Sequence, residues 1–172
     1  MKRLATLFTI TLVTLLSVAS VVGCGYQQEA GTYTGHGVSF DYPQDWIRVD
    51  YSDPEALWTV AFQERGSGIE PGVTVAAYYM EGVTLREFEQ TQQWGFTNAN
   101  YTTSIVDVTI NGRDAIRYSW TAELDGSPIK GDDICITKDY EVVYWAGCYA
   151  LTSEYSTVQD ALNTLLDSFK IE

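Results

Sequence analysis

The sequence is short of positive charge and nearly without histidine: ten Lys and Arg stand against twenty-three Asp and Glu, and the formal net charge is −13. That shortage argues against nucleic-acid binding, which rests on Lys and Arg neutralising phosphates. It argues equally against direct adhesion to anionic lipid headgroups. A Ser–His–acid or Cys–His site would need His36, the one histidine, as its base. His36 sits between Gly35 and Gly37, where an exposed loop side chain is expected rather than a rigid catalytic group. No Cys/His cluster has zinc-ligand spacing. No Gly-rich loop leads into a helix as phosphate cradles require. The acids gather in two places, Asp50 with Asp53 and Glu55, and Asp125 with Asp132 and Asp133. Neither matches an EF-hand loop or offers the roughly six to eight oxygens that Ca²⁺ takes. Both read as solvated acidic loops, and no metal or cofactor is expected.

What is present begins with the N-terminus. Lys2 and Arg3 are followed by an uncharged, apolar stretch from Leu4 to Gly23. This has the composition of a secretory leader. Its length also suits a membrane span, which needs about 20 apolar residues. Against a span, no basic stop-transfer cluster follows; Gly25, Gln27, Gln28, Glu29 and Gly31 come next. The quartet Val21-Val22-Gly23-Cys24 resembles the lipobox of bacterial lipoproteins, with Val21 where Leu is usual. The resemblance implies cleavage before Cys24 and acylation of its thiol with chains such as palmitate. Each buried CH₂ would contribute about 0.8 kcal/mol to anchoring. An uncleaved N-terminal helix is the competing reading. The expected organisation is a leader over 1–23, a lipidated tether over 24–34 and one domain over 35–172. Loss of Lys2 and Arg3 would take the net charge from −13 to −13 − 2 = −15.

With Cys24 lipidated, two thiols remain, Cys135 and Cys148. An exported compartment permits a disulfide. A tight turn at Lys138-Asp139 would set Cys135 across from about Val142, leaving Cys148 some 20 Å along the strand. A bridge needs Cα atoms within about 7 Å, so it requires another register or a bulge. Two buried free thiols are the other reading.

The domain alternates strand-like runs with turn signals. Val38–Tyr42, Asp45–Val49, Leu57–Gln63 and Val73–Met80 read as strands, the last two separated by a Gly-rich loop. Thr84 with Glu87 forms a capping box that opens a short helix ending by Gly95. Asn111-Gly112 between Ser104–Ile110 and Arg113–Glu123 is a strong hairpin signal. A second hairpin is expected from Ile129–Thr137 and Glu141–Leu151. Val158, Leu162, Leu165, Leu166 and Phe169 make the apolar stripe of a closing helix over 157–169.

Three segments together resemble the PsbP-like family, which includes many bacterial exported lipoproteins. Gly37-Val38-Ser39-Phe40-Asp41-Tyr42-Pro43-Gln44-Asp45-Trp46 is similar to its opening strand and turn. Gly82-Val83-Thr84-Leu85-Arg86-Glu87-Phe88 is similar to its short helix start, and Leu162 to Lys170 to its closing helix. The resemblance implies an α+β fold: a central antiparallel sheet of about six strands with helices on both faces, an α/β/α sandwich. It carries no catalytic residues. Photosynthetic members assist an oxygen-evolving photosystem, and no residue here specifically supports that role.

The domain is rich in aromatics. Trp58, Tyr78, Trp120, Tyr144 and Trp145 fall on strands and form either an apolar groove or core. The functional expectation is a non-catalytic binding or scaffold module, lipid-anchored on the extracytoplasmic face of the cell membrane. Its partner would be a protein or a small apolar ligand. The alternative is an exported hydrolase using carboxylates such as Asp132 and Asp133 in the manner of glycosidases. Neighbours on a strand point to opposite faces, which disfavours that pair.

Overall fold

The computed structural model describes residues 31–49, 51–65, 72–80, 82–91 and 104–172. The leader, Cys24, Asp50 and Trp94 lie outside them.

Two antiparallel sheets carry most of the described chain. A three-stranded sheet has the order β1-β2-β10, from β1 (Gly31–Gly35), β2 (Val38–Tyr42) and β10 (Lys170–Ile171). A seven-stranded sheet is built from β3 (Trp46–Val49), β4 (Trp58–Glu64), β5 (Gly72–Tyr79), β6 (Ser104–Ile110), β7 (Arg113–Leu124), β8 (Ser127–Thr137) and β9 (Val142–Leu151). Its order is β3-β4-β5-β9-β8-β7-β6. Two helices are described, α1 (Leu85–Thr91) and α2 (Tyr155–Ser168).

Local chemistry explains most boundaries. Asn111 and Gly112 both have positive φ, 49° and 80°, the backbone of a type I′ turn, so Ile110 pairs directly with Arg113. The Asn111 amide also donates to the carbonyls of Leu166 and Phe169, closing the C-terminal end of α2. The capping box of α1 is formed: Glu87 N–H donates to Thr84 Oγ1 at 3.2 Å, and Thr84 N–H donates to Glu87 Oε2 at 2.8 Å. Those bonds hold the Glu87 carboxyl below its ordinary range. Pro43 ends β2 and its carbonyl accepts from Trp46 N–H at 3.0 Å, which turns Trp46 into the core.

One face of the large sheet carries the main core. Val60, Phe62, Val73, Val75, Ile134, Ile136, Ala146 and Cys148 meet Val158, Leu162, Leu165 and Phe169 around α2. The small sheet completes this cover through Val38 and Phe40. Phe40 stands edge-on to Phe62 at 5.8 Å and stacks on Phe169 at 6.0 Å. On the opposite face, Leu85 and Phe88 of α1 pack on Tyr78, Ile116, Cys135, Val143 and Trp145 at one end.

This corrects the expected sandwich. The protein is mostly β, with seven strands rather than about six in the main sheet and a second sheet beside it. Helices do not layer both faces. α1 has seven residues, about 10 Å of helix at 1.5 Å per residue, too short to span a sheet of this width. Much of the cover expected from helix comes from β1, β2 and β10 instead. Residues 31–34, expected as tether, belong to β1, and β10 had no strand signal beyond two residues.

The register of β8 and β9 also differs from the sequence expectation. The loop between them runs over 138–141, with Tyr140 at φ 63°. Asp139 Oδ1 accepts from Glu141 N–H at 3.2 Å and from Val142 N–H at 3.4 Å. Cys135 therefore pairs with Trp145, not Val142. The shift of three is odd, so it moves Cys148 to the other face of the sheet. Both thiols are buried in different apolar clusters and are not joined to each other.

Candidate functional site

Away from α1, the second face is concave among the described residues, and the register explains why. Across it run Ala61 of β4, Gly72, Thr74 and Ala76 of β5, and Gly147 of β9, all small and directly adjacent through the β4–β5 and β5–β9 pairings. Larger side chains stand around this floor: Tyr78, Trp145, Tyr149 and Trp120. The result is a cavity of about 390 Å³, within the usual range of small-ligand sites.

Two glycines let the tryptophans lie down. A Cβ at Gly131 would sit 2.3 Å from Trp120 Cε2 and Cζ2, and one at Gly147 would sit 2.1 Å from Trp145 Cζ2. Each indole occupies the space a side chain on the neighbouring position would fill. The same Cβ at Gly147 would be 2.4 Å from Asp133 Oδ1. Asp133, 3% exposed, enters the cavity wall and accepts from Trp120 Nε1–H at 2.7 Å. On β4, the Thr59 hydroxyl oxygen is buried and has no hydrogen-bond partner among the described residues; Thr59 lines the same cavity. At the α1 end, Tyr78 donates to Asp53 Oδ2 at 2.8 Å. Burial, then this bond and the Asp53 charge, hold the Tyr78 phenol well above its ordinary range.

Three of the five aromatics singled out from the sequence, Tyr78, Trp120 and Trp145, line this cavity. Trp58 and Tyr144 lie on the other face, 6.4 Å apart, packed toward α2 and the small sheet. Trp58 stacks there on the exposed His36 ring at 5.0 Å. Sequence reasoning missed Gly131 and Gly147, and it read Asp133 as a loop or hydrolase carboxylate rather than as part of this wall. The alternation along 129–137 held the signal: it puts Gly131 and Asp133 on one face and Asp132 on the other.

Asp132 and Asp133 are not solvated loop acids, as expected from sequence, but buried strand residues at 1% and 3% exposure. Asp132 faces α2. There it accepts from Arg117 and Ser119, and from Gln159 Nε2 at 3.4 Å. Burial pushes its carboxyl up, but hydrogen bonds from Arg117, Ser119 and Tyr155, with the Arg117 charge, prevail and hold it below its ordinary range. The paired Arg117 is raised, chiefly by the same bond. Asp125 lies in the β7–β8 turn. No group of three His, Cys, Asp or Glu among the described residues could hold a metal ion.

No protein-family model matches the chain, and no curated protein matches it. Solved structures do. Cyanobacterial PsbP (CyanoP) from Synechocystis superposes with a TM-score of 0.61 at 16% identity, over 90% of this chain and 99% of that one. LpqN, involved in cell envelope biogenesis of Mycobacterium tuberculosis, superposes with a TM-score of 0.62 at 13% identity, over 85% of this chain and 87% of that one. The fold is PsbP-like. At these identities the likeness speaks for the fold alone. On that PsbP-like frame no described helix is long and apolar enough to cross a membrane.

Proposed function

We propose that the chain is an exported lipoprotein, held by lipid on Cys24 at the extracytoplasmic face of the cell membrane, whose domain is a non-catalytic binding or scaffold module. The aromatic-walled cavity on the second sheet face carries this reading, because among the described residues it is concave, largely apolar and furnished with a few convergent polar groups. The envelope role printed for LpqN, a structural neighbour, supports the setting. The carboxylate hydrolase is the weaker reading. Asp132 and Asp133 project to opposite faces of β8, and Asp132 is engaged by Arg117 and Ser119.

Two experiments test it. Replacing Cys24 by Ala should abolish incorporation of labelled fatty acid and leave a larger, unprocessed form; normal labelling and processing would end the lipoprotein reading. A photo-crosslinking residue at position 149, on the cavity rim, should capture a bound species in native membranes. Capture that is equally strong from position 123, away from the cavity, would mean that the cavity is not the binding site.

A further inference from the structure

We propose that a second cavity, on the α2 side of the large sheet, binds a small hydroxylated carboxylate through Arg117 and Lys130. It is separate from the aromatic cavity and stands whether or not that one holds a ligand.

The cavity, about 430 Å³, lies at the margin of the main core, where the start of α2 meets β7 and β8. Strand phase builds its polar wall. Arg117 and Ser119 of β7 share one face with Lys130 and Asp132 of β8, and Ser119 stands directly opposite Asp132. Tyr155 and Gln159, one turn apart on α2, reach the same space. Asp132, 1% exposed, is the hub of this wall. It accepts from Arg117, Ser119 and the Tyr155 hydroxyl, and from Gln159 Nε2 at 3.4 Å. The bond from Arg117 fixes its guanidinium while using one of five N–H donors. The Arg117 side chain stays 30% exposed.

Lys130 supplies a second positive charge. Its Nζ lies 5.0 Å from the centre of the Tyr155 ring, a contact that leaves its three N–H donors available. Among the described residues no carboxylate lies within ion-pair distance of it. A purely structural ion pair accounts for Arg117 with Asp132; it gives no reason for a second cation in the same cavity. Arg117 and Lys130 against Asp132, the one acid among the described lining residues, leave one net positive charge. A single carboxylate balances it, and a phosphate dianion overshoots. The net charge of −13 repels anions at long range, so selection rests on contacts inside the cavity. Gln159 spends its amide N–H groups on Asp132 and Tyr155, at 3.4 Å each. Its carbonyl oxygen and the lone pairs of Ser119 can accept from hydroxyls on the body of the ligand.

The test titrates the purified full chain, by calorimetry, with glucuronate, glucose and inorganic phosphate. The two sugars share a ring and differ where a carboxylate replaces a hydroxymethyl group. Glucuronate should bind about tenfold tighter than glucose, as charge-assisted hydrogen bonds allow, and tighter than phosphate. Lys130→Met keeps a long side chain and touches none of the bonds to Asp132. It should weaken glucuronate about tenfold while glucose binding and the melting temperature stay at wild-type values. If Lys130→Met fails to fold, Lys130→Gln replaces it. Equal binding of glucuronate and glucose, or no binding of any probe, would overturn the proposal. A preference for phosphate would overturn the carboxylate. Undiminished glucuronate binding in the folded Lys130 variant would show that the anion sits elsewhere and would overturn the site.

Discussion

The two faces of the seven-stranded sheet are built from the same strands and solve different problems. On the α2 face the residues are large and branched, and helix and small sheet press onto them. On the other face the central positions are Gly72, Thr74, Ala76 and Gly147, and aromatics stand at the margins. Each face holds one buried aspartate from adjacent positions of β8. Asp132 is matched by Arg117, a full counter-charge. Asp133 accepts an indole N–H among its contacts. One face is a closed core whose polar group is satisfied by charge; the other is a concave surface whose carboxylate borders a cavity. The comparison teaches that the sheet keeps its main core and its aromatic cavity on opposite sides.

Substitutions can break that division. Phe169→Ala, on the closed face, removes a ring 2% exposed that touches Phe40 and Tyr144. It should cost about 3–5 kcal/mol, a large share of a typical domain stability of about 5–15 kcal/mol. A denaturant midpoint equal to wild type would show that α2 does not seal this face. Gly147→Ala, on the open face, forces Trp145 and Asp133 away from contacts of 2.1 and 2.4 Å. Overpacking of this kind costs about 1–3 kcal/mol. A denaturant midpoint equal to wild type would show that Trp145 can leave its place over Gly147 at no cost.

Asp132→Asn should cost about 2 kcal/mol at neutral pH, since the partners of the carboxylate lose a charged acceptor. The sign with pH follows from its lowered pKa. The stabilisation is fully present above the ordinary aspartate value of 3.8 and disappears as pH falls through the lower folded value. Wild type and variant should therefore converge in urea melts run at progressively lower pH below 3.8; a gap that widens there would reverse the assignment. The smallest effect is kinetic. Burial pushes the Cys148 thiol up to about 12, and Cys135 is equally enclosed. Iodoacetamide at neutral pH should modify neither until urea is added, as read by mass spectrometry. Rapid native labelling of Cys148 would show that its side of the sheet opens.

How much of this was legible depends on whether the determinant was local. Asn111-Gly112, the Thr84–Glu87 box and the apolar stripe of α2 are short-range signals, and the structure uses each as read. The β8–β9 register was not legible because Asp139 lengthens the loop by bonding two backbone N–H groups, and the resulting shift of three in the pairing changes which face Cys148 occupies. β1 and β10 were missed for a different reason. Gly31–Gly35 offers only Thr32, Tyr33 and Thr34 between two glycines and Lys170–Ile171 is two residues long, too short to read alone, and both pair with β2, which lies between them. The helical cover expected on both faces came from the family resemblance, and the length of α1 cannot supply it. In the candidate site, the aromatics were visible but not their faces. Phase along a strand separates Trp145 from Tyr144 and Asp133 from Asp132, and phase is a tertiary property once both neighbours can be buried.

The pairing of β2 with β10 has a consequence for the order of assembly. Ser39 pairs with Lys170 and Val38 with Ile171, and Asp41 N–H donates to Ser168 Oγ across 127 residues of sequence. The hairpin of β1 and β2 thus finds its third strand only after every strand of the large sheet has been made and α2 has docked. Contacts this distant in sequence carry a heavy loop-closure entropy, and proteins rich in them fold in milliseconds to seconds rather than microseconds. While synthesis is under way, Phe40 of β2 can meet Phe62 of β4 but not yet Phe169, the ring on which it stacks. The chain stays open until it is nearly all available, which is the condition in which a polypeptide can be threaded across a membrane before it closes.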